Sequence, residues 1–483
     1  MKITRKELIL RPDPKRVLFR PFIPRTRKQI LKIIARILKL NEKQVEYLYG
    51  EIISEFGKRH NKVDEYFLKQ FESVKELVFT DEPLSEKRKL LIGAYFTLEY
   101  SFESSALFNP SMIWHPNQNG LPEGSKRFIL SLRAIGEGHI SSLTFRSGII
   151  NSNGDISIDP PARFVTYADI IPDSFYQKDL FERKLKELGL LNDFSKKVLS
   201  ELKDQFTLNE LKETLRYAVK TFSYSSFDAD VIASKILLLA KSNYEIEFDK
   251  DTDISERVIF PSTPNEINGI EDARFCEFVN DDGSITYYAT YTAYDGEVVF
   301  PQLLETKDFV HFKISTLNGP AVQNKGMALF PRKINGHYAM LSRQDGENIF
   351  IMFSDMIHFW YHKKLLLRPT YPWEYIQIGN SGSPIETEYG WLVLHHGVGA
   401  MRKYSLGAFL LDKDDPTKVI GRTKEPILTA NENEREGYVP NVIYSCGGKV
   451  YNGNLIIPYA MSDYASSFAV VSLKDLILEM TKV

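Results

Sequence analysis

An aromatic-rich strand that ends in polar residues recurs along this chain at intervals of about 50 residues. Its five copies are Arg127–Arg133, Tyr287–Thr292, His337–Arg343, Trp391–His396 and Leu455–Asp463. A repeat of this length with several strands in each copy is typical of a β-propeller blade, whereas a β-sandwich does not explain so long a period. The sequence therefore predicts an all-β, five-bladed β-propeller.

Two helical regions accompany this repeat. Prolines exclude a helix before residue 25, so we expect the first residues to be extended. Helix-start signatures follow at Thr26–Gln29 and Asn41–Gln44, each before apolar residues at helical spacing. A second helical block covers residues 173–243, and strands resume after it. We predict an extended arm and helical extension over residues 1–104, and a catalytic propeller over residues 105–483 with 173–243 as a helical insertion.

The charge balance and the cysteine count exclude several function classes. Lys plus Arg number 61 and Asp plus Glu number 63, so the net charge of −2 gives no general affinity for nucleic acid or membranes. Two cysteines exclude a disulfide framework, and no spacing of histidine, cysteine and carboxylate indicates a metal site. The chain shows no signal-peptide core and no run of about 18 apolar residues. The sequence therefore predicts a cytoplasmic protein.

Polar residues end the repeated strands. They are Arg133, Thr292, Arg343, His395 with His396, and Asp463. Inner strands of propeller blades converge on the central axis, so these five ends would surround one funnel. A single polar strand end is usually solvated or structural, and Arg133 or Arg343 could simply bond carbonyl groups between blades. Five such ends on one axis nevertheless predict a binding site.

The segment Gly269–Arg274 places two carboxylates and a guanidinium just ahead of a β-prone strand and the turn that contains Asp295. Side chains alternate between faces in an extended strand, so Glu271 and Arg274 are expected to point away from Asp272 or along the chain. Asp272 would then face a pocket alone, with an arginine near enough to tune it. The alternative is a structural ion pair between Asp272 and Arg274.

An ordered set of motifs resembles the mannoside phosphorylases and mannosidases of glycoside hydrolase family 130. The set comprises Phe108–Ser111, Leu132–Ala134, Gly269–Arg274, Thr290–Gly296, Asn324–Lys325, Leu329–Pro331, Asn335–Arg343, Gly390–Val398, Tyr404–Asp412 and Val439–Val442. The resemblance covers roughly residues 105–475 apart from the insertion, and it implies a five-bladed propeller that cleaves β-linked mannosides with inversion.

Site residues follow from this resemblance, motif by motif. Asp272 is implied to be the catalytic acid, which protonates the glycosidic oxygen through a sugar hydroxyl. If inorganic phosphate is the nucleophile, basic side chains must hold a dianion. The implied phosphate-binding (or water-side) residues are Lys325, Arg343, His396 and Arg133. The implied substrate-binding residues are Asn109, Arg274, Tyr294, Asp295, His395 and Asp463. The resemblance implies no cofactor, with inorganic phosphate as co-substrate and an oligosaccharide as substrate.

Two departures from the family pattern leave a second function open. Ala273 replaces the proline of the family's Glu-Asp-Pro-Arg element, and Ser342 stands where phosphorylases tend to have a histidine before the strand-ending arginine. Loss of that histidine would favour an inverting β-mannosidase, with Glu386 or Glu388 as the base that activates water. The segment Gly136–His139 has no counterpart in the family pattern.

Two further hypotheses concern a function without catalysis and the oligomeric state. A propeller that binds glycans without catalysis is a third function, against which the intact Asp272–Arg274 element argues. The amphipathic N-terminal helices predict a possible homo-oligomer.

Overall fold

A computed structural model describes residues 1–172, 174–221, 226–294 and 299–482. The N-terminal helices are Arg27–Leu38, Glu42–Phe56, Val63–Val74 and Glu86–Tyr95. The Thr26 side chain accepts from the backbone amide of Gln29, and Asn41 and Gln44 form a reciprocal capping box, which confirms both predicted helix starts. None of the described helices is both long and apolar enough to cross a bilayer.

Helices occupy much of residues 173–243, whose assignment as an insertion stays a prediction. These helices are Lys178–Glu187, Asp193–Glu201, Leu208–Thr221 and Ser226–Lys241. Apolar residues at helical spacing, among them Phe181, Leu185, Leu211 and Leu215, form a separate buried cluster. The insertion thus has a small core of its own, next to a chain that is otherwise mostly β-structure.

The described strands form four larger sheets and two short strand pairs, almost entirely antiparallel. The first sheet contains Ala106–Trp114, Lys126–Ile135, Ser141–Ile150, Ile156–Ile158, Thr166–Tyr167, Asp169–Ile170, Tyr244–Glu247, Arg257–Ile259, Gly269–Val279, Ile285–Tyr294, Val299–Thr306 and His311–Thr316. The second contains Ala328–Leu329, Tyr338–Ser342, Ile349–Ser354 and Lys364–Leu367. The third contains Gln377–Asn380, Ile385–Thr387, Gly390–Val398, Tyr404–Leu411, Val419–Arg422, Leu428–Thr429 and Thr481–Lys482. The fourth contains Ile3–Leu10, Ile443–Tyr444, Lys449–Tyr451, Asn454–Met461 and Ala465–Ser472.

The two chain ends join sheets formed by distant parts of the sequence. Strand Ile3–Leu10 pairs with Ala465–Ser472, and strand Thr481–Lys482 pairs with Val419–Arg422. Strand Thr97–Ser101 pairs with Val17–Pro21, and the last N-terminal helix ends just before it, at Tyr95. The division at residues 104 and 105 stays a prediction, although the arm contributes an edge strand to the fourth sheet.

Buried apolar clusters join the sheets in sequence. Phe278 and Met340 join the first sheet to the second, and Leu341 and Val393 join the second to the third. Other clusters join the third sheet to the fourth and the fourth back to the start of the first, as Leu132 packs with Phe468. Each sheet therefore packs on the next, and the last packs on the first.

Candidate active site

Two backbone bulges in the first sheet bring Asn109 and Asp272 together. The strand register shifts between Phe108 and Ser111, and again between Glu271 and Arg274. Asn109 and Asp272 occupy the bulges with φ of 51° and 52°, a left-handed conformation that is uncommon outside glycine. The Asn109 side-chain amide donates to Asp272 Oδ1 at 2.6 Å. Conformations of this kind cluster at functional sites, where the surrounding structure maintains them.

Arg133 joins both carboxylates of the motif. Its guanidinium lies 2.7 Å from Glu271 Oε1 and 3.5 Å from Asp272 Oδ1. Lys325 approaches the other oxygen of Glu271 at 3.8 Å. The expectation that Glu271 points away from Asp272 is therefore wrong, because the bulge inserts a residue and breaks the alternation of faces.

Arg274 is oriented by groups other than the Asp272 carboxylate. It donates to the backbone carbonyl of Asp272 at 3.1 Å and to the Tyr444 hydroxyl at 2.6 Å. The alternative of a structural Asp272–Arg274 ion pair therefore does not describe this geometry. Tyr444 lies in a short strand of the fourth sheet, and sequence reasoning missed it because only long-range packing brings it here.

Arg343 and His396 form the other side of the site. Arg343 Nη1 lies 3.3 Å from His396 Nε2, and the His396 ring packs against Tyr444 with centroids 4.8 Å apart. Gly379 makes room for both: a Cβ there would lie 2.6 Å from the His396 ring and 3.2 Å from the Arg343 side chain. We call Asn109, Arg133, Asp272, Arg274, Lys325, Arg343, His396, Tyr444 and Asp463 the Asp272 cluster.

The pKa values of the two aspartates in this cluster are shifted in opposite directions. Burial raises the pKa of Asp272, but Arg133, Arg274 and Lys325 together outweigh burial and hold that pKa below its usual range. Burial, with the Asp272 charge next in importance, raises the pKa of Asp463 to about 6. Burial first, and then the neighbouring arginines, lower the pKa of His396 well below its usual value. In this state Asp272 is a carboxylate and His396 is neutral near pH 7.

Several buried polar atoms of the cluster have no hydrogen-bond partner within the described protein. They are Asn109 Oδ1, Arg133 Nε, Arg274 Nε, Arg343 Nε and His396 Nδ1, together with both side-chain amide atoms of nearby Asn380. A buried polar atom without a partner is destabilising by about 1–3 kcal/mol. So many of them in one place indicate a ligand rich in hydroxyl or oxyanion groups.

Comparison with known proteins agrees with this chemistry. The profile of the family described as beta-1,4-mannooligosaccharide phosphorylase matches residues 216–482, more than half of the chain. The chain belongs to glycoside hydrolase family 130. A 1,2-beta-oligomannan phosphorylase of Thermoanaerobacter sp. (strain X514) is 37% identical over 230 residues, which are 46% of this chain and 75% of that protein.

Two other similar proteins carry related names. A beta-1,2-mannobiose phosphorylase of the same Thermoanaerobacter strain is 35% identical over 243 residues, covering 47% of this chain and 73% of that protein. The solved structure of the Listeria innocua beta-1,2-mannobiose phosphorylase with beta-1,2-mannobiose is 24% identical, with a TM-score of 0.47. That alignment covers 79% of this chain and 92% of the other.

His395 of this family 130 chain does not join the Asp272 cluster, contrary to expectation. Its ring is fully buried and lies 3.0 Å from Glu374 Oε1, which Arg422 also contacts at 2.7 Å. Successive residues of a strand face opposite sides, so His396 in the site places His395 on the other face. His395 therefore belongs to a buried structural network and not to the substrate site.

The Glu374 network yields a stability prediction for this family 130 chain. Although burial raises the pKa of Glu374, His395 and Arg422 outweigh it and lower the pKa to about 2 from 4.5. A depressed carboxyl pKa stabilises the fold above the unfolded value, and this contribution is lost as pH falls through the folded value. Glu374→Gln is expected to cost about 3 kcal/mol near pH 7, because Arg422 loses its buried partner.

Thermal melting at several pH values measures this effect. The deficit of Glu374→Gln relative to wild type is expected to shrink as pH falls from 4.5 toward 2. Glu386→Gln is the matched control, since it breaks a more exposed pair with Arg332, and such pairs contribute at most about 1 kcal/mol. Equal melting of Glu374→Gln and wild type would contradict a stabilising role for the network.

The residues proposed for water activation lie elsewhere. Glu386 pairs with Arg332 at 2.9 Å and lines a cavity of about 290 Å³ together with Trp114, Glu277 and Lys449. Glu388 is exposed in the turn after strand Ile385–Thr387. Neither glutamate contacts the Asp272 cluster in the described structure, which corrects the expectation of a base at these positions.

Three other positions singled out in the sequence are Ser342, Tyr294 and Asp295. Ser342 is fully buried, and its hydroxyl donates to Gln344 at 3.0 Å and not to a residue of the Asp272 cluster. Tyr294 pairs with Gly269, at the start of the Asp272 strand. Asp295 lies outside the described residues. Within the described part of the chain, no group of three or more His, Cys, Asp or Glu residues is arranged to hold a metal ion.

Proposed function

We propose that this protein is an inverting phosphorylase of β-linked mannosides that releases mannose 1-phosphate. The observation that carries the proposal is the group of Arg274, Arg343 and His396, whose buried donor atoms lie unpartnered beside one ionised aspartate. Cations with free N–H groups in a buried site suit a phosphate dianion. The names of the similar proteins support β-mannosides as the substrate class.

Asp272 is proposed as the general acid. Cleavage of a glycosidic bond requires a proton on the leaving oxygen and a nucleophile on the opposite face of the sugar. Asp272 is held at a bulge by Asn109, with Arg133 at one oxygen, so its carboxyl group has one orientation. The proton passes to the glycosidic oxygen through a sugar hydroxyl, and phosphate attacks the anomeric carbon with inversion.

Phosphate binding is proposed to raise the pKa of Asp272 and so to make this residue a proton donor. In the free protein, Arg133, Arg274 and Lys325 hold the pKa of Asp272 low, which favours the carboxylate over the acid. A dianion beside Arg274 and Lys325 neutralises two of these charges and adds a like charge near Asp272. Both effects raise the pKa of Asp272. The residue therefore becomes a proton donor only when the nucleophile is in place.

The remaining cluster residues are proposed to hold the sugar. Asn109 and Asp463 offer an amide and a carboxyl group to hydroxyls, and Asp463 can do so in protonated form near pH 6. Tyr294, the last residue of its strand, and Asp295, which lies outside the described residues, are also proposed as sugar ligands. Arg133 would orient the Glu271 and Asp272 carboxylates, Arg274 would hold the Asp272 backbone, and both arginines would also reach the ligand through their Nε atoms.

We also propose that the sheets form a five-bladed β-propeller. The first sheet divides where only Gly269 and Ser141 pair, which gives two units and five in total with the other three sheets. The clusters that join each sheet to the next, and the last to the first, support a closed ring. The Asp272 cluster would then lie at one end of the central axis.

The product of cleavage tests the proposed function. Purified protein is incubated with β-1,2- and β-1,4-linked mannobiose and mannotriose, with and without inorganic phosphate, and products are resolved by ³¹P and ¹H NMR. We expect α-mannose 1-phosphate with phosphate and no cleavage without it. Free mannose at an unchanged rate without phosphate would establish the mannosidase alternative, for which Glu386 and Glu388 no longer provide support.

A further inference from the structure

Two exposed aromatic rings contact each other in a tilted arrangement near the Asp272 cluster. The His139 and Tyr438 rings have centroids 5.7 Å apart and an interplanar angle of 34°. Tyr438 is 62% exposed, and His139 is exposed with a backbone φ of +59°. The backbone thus maintains an uncommon conformation that brings the histidine ring to the tyrosine. Ordered aromatic faces in solvent are typical of a surface that binds a flat, partly apolar ligand.

Backbone contacts fix Tyr438 next to Asp463. The amide of Val439 donates to the carbonyl of Ser462 at 3.1 Å. Gly437 lies so close to Ser462 that a Cβ would come within 2.4 Å of the same oxygen. Because Ser462 directly precedes Asp463, the residues on both sides of Tyr438 contact the backbone beside a carboxylate of the cluster.

His139 lies in the turn that follows the Arg133 strand. The Tyr100 hydroxyl donates to the carbonyl of Glu137 at 2.8 Å and fixes one side of this turn. On the other side, Ser141 pairs with Gly269, the first residue of the strand that carries Asp272. The segment Gly136–His139, which has no counterpart in the family motifs, therefore connects the Arg133 strand to a strand whose first residue pairs with the start of the Asp272 strand.

A second turn of the same form presents another exposed side chain. Gly136 and Gly399 have nearly equal backbone angles, φ −110°, ψ −157° and φ −106°, ψ −161°. Each is followed by a short helical turn with a positive φ inside, and Met401 in the second turn is 91% exposed. The next residue, Arg402, interacts electrostatically with Asp463. The two equivalent turns thus carry exposed His139 and Met401, and the second turn lies beside Asp463.

We propose that Tyr438 and His139 form a stacking surface for a sugar of the leaving group, which is the acceptor in the reverse reaction. The proposal rests on the proposed function. The apolar C–H face of a pyranose fits an aromatic ring while its hydroxyls stay in water. The mannosyl unit that is transferred must contact the buried carboxylates, and phosphate must attack it from the side opposite the leaving group. The exposed rings at the mouth are therefore left for the leaving sugar.

The reverse reaction tests this surface. Wild type, Tyr438→Ala, Tyr438→Phe and His139→Ala are assayed with mannose 1-phosphate and β-mannobiose or β-mannotriose as acceptor. We expect Tyr438→Ala to raise the acceptor KM about tenfold, with the KM for mannose 1-phosphate unchanged within about twofold. Tyr438→Phe keeps the stacking face and is expected to retain the wild-type acceptor KM. Tyr217→Ala is the matched control, because Tyr217 is equally exposed, at 62%, in the helical insertion.

Three results would overturn the stacking surface. They are an unchanged acceptor KM in Tyr438→Ala, an equal rise in Tyr217→Ala, or a change of oligomeric mass in Tyr438→Ala that accounts for its loss. If the wild type shows no phosphorolysis, the proposed function fails, and the stacking surface is tested by saturation-transfer NMR with β-mannotriose. Signal lost in Tyr438→Ala but kept in Tyr438→Phe would support it, and equal signal in all variants would refute it.

Discussion

Asp272→Asn is expected to lower kcat/KM for mannobiose phosphorolysis by about 10³-fold or more, because general acid catalysis contributes roughly 10²–10⁴-fold. The amide is nearly the same size as the carboxyl and leaves an acceptor for the Asn109 side chain, which donates to Asp272 Oδ1 in the wild type. It cannot supply a proton to the leaving oxygen. The variant is measured by steady-state kinetics, with circular dichroism to confirm that it is folded.

A substrate whose leaving group needs no protonation distinguishes a loss of acid catalysis in Asp272→Asn from a loss of substrate binding. With 4-nitrophenyl β-mannoside the leaving group departs without protonation, so Asp272→Asn is expected to lose much less activity on it than on mannobiose. Asp355→Asn, which removes an exposed carboxylate paired with His337, is the matched control and should behave as wild type. An equal loss of Asp272→Asn on both substrates would contradict the role of Asp272 as the acid.

Arg343→Ala is expected to raise the KM for phosphate by about 10–100-fold, since a hydrogen bond between charged groups contributes about 1.5–3 kcal/mol. The Arg343 guanidinium is buried beside His396 and has an unpartnered Nε, so its removal deletes both charge and donors. Arg343→Lys restores the charge without the planar fork and is expected to be intermediate. Initial rates over a range of phosphate concentrations at saturating mannoside give this KM.

Arg332→Ala is the control for the loss of an arginine. Arg332 pairs with Glu386 and lies over Trp391, away from the Asp272 cluster, so its removal should leave the phosphate KM unchanged. If Arg343→Ala instead raised only the KM for mannoside, Arg343 would be a sugar ligand and the phosphate site would have to be sought elsewhere.

Local signals in the sequence predicted much of this molecule. Capping residues such as Asn41 and Gln44 fix a helix start through contacts within three residues, and the structure confirms them. The aromatic repeat located the strands, and motif order located Asp272 and Asn109. These features depend on short-range chemistry or on spacing, which a sequence displays directly.

Other features depended on contacts that a sequence does not display. The bulge at Asp272 adds a residue to one strand, so alternation of faces failed for Glu271, which shares Arg133 with Asp272. His395 and His396 are adjacent in sequence, and only the pairing of their strand decides which one faces the site. Tyr444 reaches Arg274 across 170 residues, and no local pattern marks it.

The most direct test of phosphorolysis is the origin of the oxygen that becomes bonded to the anomeric carbon of the transferred mannosyl unit. The protein is given β-mannobiose and phosphate labelled with ¹⁸O at all four positions, in unlabelled water, and the products are analysed by mass spectrometry. We predict mannose 1-phosphate that retains all four labelled oxygens, including the one bonded to the anomeric carbon. Any mannose formed later by attack of water on phosphorus would also carry ¹⁸O. Phosphorolysis also releases the leaving mannose, unlabelled, in one equivalent for each mannose 1-phosphate. Two equivalents of unlabelled mannose with no mannose 1-phosphate as first products would contradict phosphorolysis and identify water as the nucleophile.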